Sequence, residues 1–339
     1  MLYRLLRPLL FRLEAERAHR WALAAFDAAH ALRLSGIVAP RLPRAPVSVM
    51  GLTFPNAVGL AAGLDKNGEH VDALATLGFG FIEVGTVTPR PQSGNPRPRL
   101  FRIPPAQALV NRMGFNNLGI DRLVYNVGQA HYRGILGINV GKNFDTPMER
   151  AASDYLACMR KAYPLASYLA INISSPNTRN LRQLQETDEL DRLLAVLKAE
   201  QHALSERHGR YVPLAVKIAP DLSDAQVQSI ARLLIEHGVD GVIATNTTVS
   251  RVGVDGLPGG EESGGLSGGP LRERSTSIVR GLYATLGERI PIIGVGGILQ
   301  AEDAVEKIAA GARLVQLYTG LVYAGPRLAA DCVRALSRR

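Results

Sequence analysis

The chain of 339 residues reads as an α/β protein, a (β/α)8 TIM barrel preceded by an N-terminal amphipathic helical segment. Three observations carry this reading. Eight short apolar runs recur between residues 57 and 320, and helix-length stretches separate them. Strands alternating with helices imply a parallel sheet, and eight such units close as a barrel. The length agrees, since a barrel of about 250 residues with extensions fits it as one large unit.

The runs are AVGLAAG (57–63), FIEVGTV (81–87), ILGINVG (135–141), YLAINIS (168–174), PLAVKIA (213–219), GVIATNT (241–247), PIIGVGG (291–297) and LVQLYTG (314–320). Between them, Leu190, Leu193, Leu194 and Leu197 repeat at the three-to-four spacing of a helix face. The stretch SDAQVQSIARLLIEHG is expected to open on an Asp-capped turn and to stop at Gly238. Two segments exceed what a barrel needs, the Pro- and Arg-rich 88–116 and the Gly-rich 250–269. Long loops after barrel strands lie on the catalytic face, so both are candidate lids, and the second is expected to be mobile.

Ahead of the barrel, Leu2, Leu5, Leu6, Leu9, Leu10 and Leu13 recur at helical spacing, with Arg4, Arg7 and Arg12 off the stripe. Pro8 is expected to kink or restart this helix. Such a stripe can pack on its own domain or lie in a membrane interface, and the pattern alone leaves both open. The Pro-rich link APRLPRAP (39–46) suggests a division into a helical segment, 1–44, and a barrel, 45–339.

Hydrophobic residues make up 46% of the chain, ample for a core. The two cysteines, Cys158 and Cys332, supply neither a disulfide framework nor a metal site, so no metal is expected and a reducing compartment suits the chain. The formal charge of +9 is unevenly spread: residues 1–44 hold eight Arg against Glu14, Glu16 and Asp27, a net of +5. A basic face across the barrel, as nucleic acid would require, is therefore not expected. Only six of the 39 basic residues are lysines, and Lys66, Lys142 and Lys217 each sit at or after the end of an apolar run. There a compact point charge is useful. No uncharged apolar run approaches the roughly 18 residues that span a bilayer, and no signal peptide is evident. The chain is expected neither to cross a membrane nor to leave the cytoplasm by that route.

Nearly every run ends in a polar residue or glycine. In order these are Ala62, Gly63 and Lys66, then Thr86, Asn139, Asn172, Lys217, Thr245 with Asn246, Gly296 with Gly297, and Tyr318 with Thr319. A ring of amides, hydroxyls and lysines at the mouth of an apolar barrel suits a flat molecule with polar edges. The glycines of LSGGPL, which include Gly268, of GVGGI and of YTG gather where barrels commonly bind phosphate, because bare N–H groups and helix starts stabilise an anion. A phosphate-anchored flat ring points to flavin mononucleotide (FMN), with Lys217 placed to stabilise negative charge on the reduced ring.

Nine ordered motifs, GLAAGLDKNGE, GFGFIEVGTVTPRPQSGNPRPRLFR, NRMGFNN, INISSPNT, VKIAPD, TNTT, GGLSGGPL, GVGGI and QLYTG, closely resemble dihydroorotate dehydrogenase of the quinone-linked, membrane-associated class. The resemblance runs from about residue 2 to the end. It implies an FMN-binding barrel that oxidises (S)-dihydroorotate to orotate in pyrimidine (UMP) biosynthesis and passes the electrons to a membrane quinone, ubiquinone or menaquinone. It assigns proton removal to Ser175, where cytosolic relatives carry cysteine, and proton relay to Thr178. It places Asn111, Asn172, Asn177 and Asn246, followed by Thr247, on the pyrimidine edges. Lys66 and the backbone of Arg112, Met113, Gly114 and Phe115 go to the carboxylate end. No histidine lies within these motifs to activate the serine.

For residues 1–44 the resemblance implies a helix pair forming the entrance for a lipid quinone, with His19, Arg102 and Tyr318 as its polar lining. A monomer on the cytoplasmic side of a bacterial cell membrane, held peripherally to an anionic surface, is then expected. The sequence departs from the family in LEAERAH, where Asp-Pro-Glu is expected before Arg-Ala-His, which puts the start of the second helix in doubt. Two other classes compete. A flavin barrel acting on RNA would need basic residues across the barrel, and a non-catalytic binding protein would not require Lys66, Ser175 and Lys217 together.

Overall fold

A computed structural model describes residues 2–34 and 42–338, apart from the side chains of Leu2 and Arg4. The side chains of those two members of the N-terminal pattern, and residues 39–41 of the link, thus lie outside what is described. A hairpin of β1 (Val47–Val49) and β2 (Leu52–Phe54) precedes β3 (Val58–Leu60), β4 (Phe81–Val87), β5 (Leu100–Ile103), β6 (Ala108–Asn111) and β7 (Ile135–Val140). The later strands are β8 (Tyr168–Asn172), β9 (Leu214–Ile218), β10 (Gly241–Ala244), β11 (Gly265–Gly268), β12 (Ile292–Val295) and β13 (Ala312–Leu317). Eight of these close a barrel in the order β10-β12-β13-β3-β4-β7-β8-β9, all parallel. They are the eight apolar runs.

Alternation along each strand decides what fills the barrel. On β4, Ile82 and Val84 face the surrounding helices, while Phe81 belongs to the interior cluster with Tyr168, Ala170, Ala215, Ile243, Ile293 and Leu314. The hairpin contributes Val49 and Phe54 to that cluster, and Phe54 meets Phe81 edge-on at 5.1 Å between ring centres. Two residues further along each strand the same inward phase yields Glu83, Asn139, Asn172, Lys217, Thr245 and Gln316, all buried. One end of the barrel is therefore aromatic and closed. The other end is polar.

The helices confirm the periodicity. Leu190, Leu193, Leu194 and Leu197 are buried on the helix Thr187–His208. In the helix Asp224–Glu236 the cap is Ser223, in a reciprocal capping box with Gln226, and not an aspartate. Gly238 follows it at φ 59°, a conformation glycine takes without penalty.

The two long segments do not hang as separate lids. β5, β6 and β11 join them in one antiparallel sheet of order β11-β6-β5. The Gly-rich segment expected to be mobile is tied further by Arg251 Nη2, which donates to the carbonyls of Glu262 at 2.6 Å and Gly264 at 2.8 Å.

Two helices precede the barrel, α1 (Leu2–Arg12) and α2 (Ala15–Ala31). The first runs on through Pro8 and does not restart there, at the loss of one ladder bond. Side-chain anchors hold it: Tyr3 Oη donates to Val322 O at 2.5 Å, Arg7 Nη1 donates to Tyr323 O at 2.8 Å, and Phe11 packs edge-on to Tyr323. The doubtful start of α2 is settled by Glu14, whose carboxylate accepts from the N–H groups of Glu16 and Arg17 at 2.9 Å each. Among the described residues no helix is long and apolar enough to cross a membrane, and Cys158 and Cys332 are buried and unpaired.

Candidate active site

The polar end of the barrel, roofed by the three-stranded sheet, encloses a cavity of about 1070 Å³ including its mouth. The first strands and their loops bring Ala62, Gly63, Lys66 and Thr86 to it; the roof brings Asn111, Met113, Gly114 and Phe115. From β8 onward come Asn172, Ser175 and Asn177, then Lys217, then Thr245, Asn246 and Thr247. Gly268, Gly297, Tyr318 and Thr319 complete the wall. Nearly every residue singled out in the sequence meets in this one space.

Asn139, Arg112, Thr178 and Lys142 do not line it. Asn139 lies one layer deeper, wholly buried, accepting from Thr86 Oγ1 at 2.6 Å and donating to Glu83 Oε1 at 2.8 Å. Arg112 turns its guanidinium to Glu262 at 2.7 Å and stacks over Phe101, while its backbone N–H is taken by Arg99 O. Its side chain therefore points away from the pocket that its neighbours line. Thr178 is buried, and its hydroxyl has no partner. Lys142, expected to act as a compact charge, instead donates to the carbonyls of Asn143 and Thr146 at 2.9 and 2.5 Å and ties its own loop.

The amides are fixed before anything binds. Asn172 Nδ2 donates to Thr86 Oγ1 at 2.9 Å, and its Oδ1 accepts from Asn246 Nδ2 at 3.2 Å. Asn246 Nδ2 also donates to Ser174 Oγ at 3.0 Å. Asn177 Nδ2 donates to both the carbonyl and the side-chain oxygen of Asn111, at 3.1 and 3.2 Å. Ser175 Oγ accepts from the Asn177 N–H at 3.2 Å and is 5% exposed. None of the lining residues is a histidine.

Charge in the site is deliberate, since burying an ion without compensation is costly. Glu83 was missed in the sequence although it is a carboxylate inside an apolar run. Its buried carboxylate accepts from Asn139, from Tyr168 Oη at 2.7 Å and from Gln316 Nε2 at 2.7 Å. Burial lowers the Lys217 pKa, and the Glu83 charge opposes that fall. Burial, then repulsion by Arg99, lowers Lys66 to about 8. A lysine in that range is charged at neutral pH and loses its proton readily.

A second cavity of about 880 Å³ lies between α1, α2 and the barrel. Its walls are apolar, among them Leu10, Phe11, Ala22, Leu23 and Phe26. Tyr3, His19, Arg102 and Tyr318 are its polar members. Leu100, Leu109 and Tyr318 line both cavities and so form their common wall. Burial, then the nearby Lys66 charge, brings the His19 pKa down to about 4, and burial lifts Tyr318 to about 12. Both are neutral at physiological pH. Arg102 donates to the carbonyls of Leu10, at 3.0 Å, and Leu13, holding the end of α1 over this space.

Comparisons with known proteins agree with this geometry. A family model described as dihydroorotate dehydrogenase matches residues 44–339. A relative from Chromobacterium violaceum, named dihydroorotate dehydrogenase (quinone), is 63% identical over 338 residues, covering 100% of this chain and 98% of that protein. One of the same name from Thiobacillus denitrificans is 61% identical, with 100% of each chain covered. The crystal structure of the Eimeria tenella enzyme in complex with ferulenol superposes with a TM-score of 0.83 at 38% identity, over 92% of this chain and 90% of that one. The chain belongs to the dihydroorotate dehydrogenase family, in its quinone-dependent branch.

Proposed function

We propose that the chain carries out its branch's reaction, oxidation of dihydroorotate to orotate with electrons passed on to a quinone, using Ser175 as the base and FMN as the bound carrier. The observation that carries this reading is the pair of cavities separated by one wall, the first polar and preorganised, the second apolar. A pyrimidine and a lipid tail need these two opposite environments.

The residues fit FMN. The backbone is so crowded at three glycines that a Cβ on Gly268, Gly297 or Gly320 would lie 2.2 Å from Gln107 O, 2.3 Å from Arg272 Cα and 2.1 Å from Ile298 O respectively. Only glycines allow this approach, and backbone N–H groups gathered so are suited to a phosphate. Gln316 lines the cavity with a buried Oε1 that has no donor in the protein, an acceptor that a ring N–H can satisfy. Ala62, Gly63, Lys66, Thr86, Asn172, Lys217, Thr245, Tyr318 and Thr319 would hold the ring, with Asn139 supporting Thr86 from beneath. When bound, FMN supplies the hydride acceptor and the relay to quinone.

The protein's own part is recognition and proton transfer. Asn111, Asn172, Asn177, Asn246 and Thr247 offer uncharged donors and acceptors to the pyrimidine edges, and Lys66 with the 113–115 backbone takes the carboxylate. Ser175 Oγ takes the proton from the substrate ring carbon. Thr178, with its unpaired buried hydroxyl, passes it on.

The Lys66 assignment has a pH signature. Below about 8 the ammonium is charged and pairs with the substrate carboxylate; as pH rises through that value the charge is lost. Calorimetric titration with orotate should show affinity falling by up to about tenfold per pH unit above it. A level profile up to strongly alkaline pH excludes Lys66 as the carboxylate's partner.

The membrane-facing role rests on α1 and α2. Leu5, Leu9 and Trp21 are 73%, 59% and 59% exposed, with Arg12, Arg17 and Arg20 exposed beside them. Apolar side chains next to basic ones suit the interface of an anionic bilayer, with the second cavity opening to the acyl region. Replacing Leu5, Leu6 and Leu9 by Ser removes about 1.5 to 3 kcal/mol of transfer free energy each. Co-sedimentation with anionic vesicles should then fall more than about a hundredfold. Undiminished sedimentation would place these leucines outside the interface.

A further inference from the structure

Helix α2 lines the apolar cavity through Ala15, His19 and Leu23, among others, but its Glu16 does not line it and is buried at 6% exposure. Glu16 Oε1 accepts from Arg99 Nε at 2.8 Å, and Arg97 Nε lies 2.7 Å from Oε2, an ion pair without hydrogen-bond alignment. Arg99 is itself 4% exposed, and its Nη1 donates to the carbonyls of Ser93 at 2.6 Å and Asn95 at 2.9 Å. Asn95 carries the connection onward. Its N–H donates to Met113 O at 3.1 Å, and its Nδ2 donates to Arg112 O at 2.9 Å and Asn177 O at 3.4 Å.

A guanidinium cannot shed its proton, so one buried this deeply requires its carboxylate, and its fork fixes several partners at once. The chain of bonds therefore begins on the helix that walls the apolar cavity. It ends on the two segments that enclose the polar one, residues 111–115 and 175–177. We propose that Glu16 is a positioning residue for the pyrimidine: through Arg99 and Asn95 it fastens the quinone-side helix to the segments that grip the substrate. The proposal rests on the reading that the polar cavity binds dihydroorotate. It also ties the helical segment, 1–44, to the barrel's chemistry through Glu16.

The ion pair reaches Lys66 as well. The charged and titratable groups acting near that lysine are Arg99 just ahead of β5, Glu16 and His19 on α2, and the adjacent Asp65. Arg99 favours loss of the Lys66 proton, and Glu16 with Asp65 opposes it. Without the Glu16 charge Arg99 acts with less opposition, so Lys66 deprotonates at a lower pH than in the native protein.

The test is orotate binding by calorimetry across pH, with the full-length, FMN-loaded protein and its Glu16→Gln variant. Circular dichroism and flavin content first establish that the variant is folded. The expected result is an orotate Kd raised about tenfold or more at neutral pH, since small misplacements of binding groups are costly. The alkaline loss of affinity should also begin at lower pH than in the wild type, which loosened packing alone does not produce. Wild-type affinity and pH profile in a folded variant overturn the proposal. Should the Gln variant not hold flavin, Glu16→Asp keeps the charge but shortens its reach. Its expected signature is weaker orotate binding with an unmoved alkaline limb, and unchanged affinity again overturns the proposal. If the wild type itself binds no orotate, it is the pocket assignment that fails.

Discussion

Ser175→Ala is expected to yield a folded, flavin-loaded protein whose flavin is reduced by dihydroorotate about 10²- to 10⁴-fold more slowly, the usual contribution of a positioned proton transfer. Folding should survive because the hydroxyl's bond in the structure is the one it accepts from the Asn177 N–H at 3.2 Å. Losing such a bond costs about 1 kcal/mol. Orotate affinity should change little, since the amides and Lys66 remain. Stopped-flow absorbance separates the two quantities. Because a serine must give up its own proton and no histidine lines the cavity, the wild-type reduction rate at saturating substrate should rise with pH. The titration of Lys66 affects how much substrate saturates and not this limiting rate. A variant that bleaches at the native rate excludes Ser175 as the base.

Ala22→Phe is expected to separate the two halves of the reaction. Ala22 lines the apolar cavity and also the surface groove that adjoins it, so a larger side chain there plugs the mouth. It lies on α2 well past Glu16, leaving the ion pair to Arg99 in place. Turnover with a long-tailed quinone should fall more than about a hundredfold, because the tail needs an apolar cavity of its own size to reach the site. Bleaching by dihydroorotate and reoxidation by a small soluble acceptor should stay near native rates. Equal loss with both acceptors would mean that quinone does not use this cavity.

How much of this could be read from the chain depended on periodicity. All eight strands were legible because parallel barrel strands are continuous apolar runs whose ends turn polar together. Lys66, Lys217, Asn139, Asn172 and Asn246 were legible for the same reason, each standing at or near the end of a run, whereas Ser175, Asn111 and Asn177 were singled out only by the resemblance of their motifs to the family. Glu83 and Gln316 were harder to see because they sit inside their runs, one layer below the mouth, where a charge or amide looks like an interruption of a strand. The three-stranded roof joins 100–111 to 265–268, and a pairing across such a separation leaves no local pattern, so both halves read as loops. Pro8 misled in the opposite direction. A local breaker was outweighed by the tertiary anchors of Tyr3, Arg7 and Phe11. The Glu16–Arg99 contact, spanning two apparently separate segments, was invisible until the helices were placed.

Anaerobic addition of dihydroorotate to the purified protein, followed by flavin absorbance, tests the central claim most directly. The expected result is a yellow protein that bleaches stoichiometrically with dihydroorotate, releases orotate, and regains its colour when a quinone is added. A flavin that stays oxidised with saturating dihydroorotate, or a protein that purifies without FMN and does not take it up, contradicts the assignment of this site.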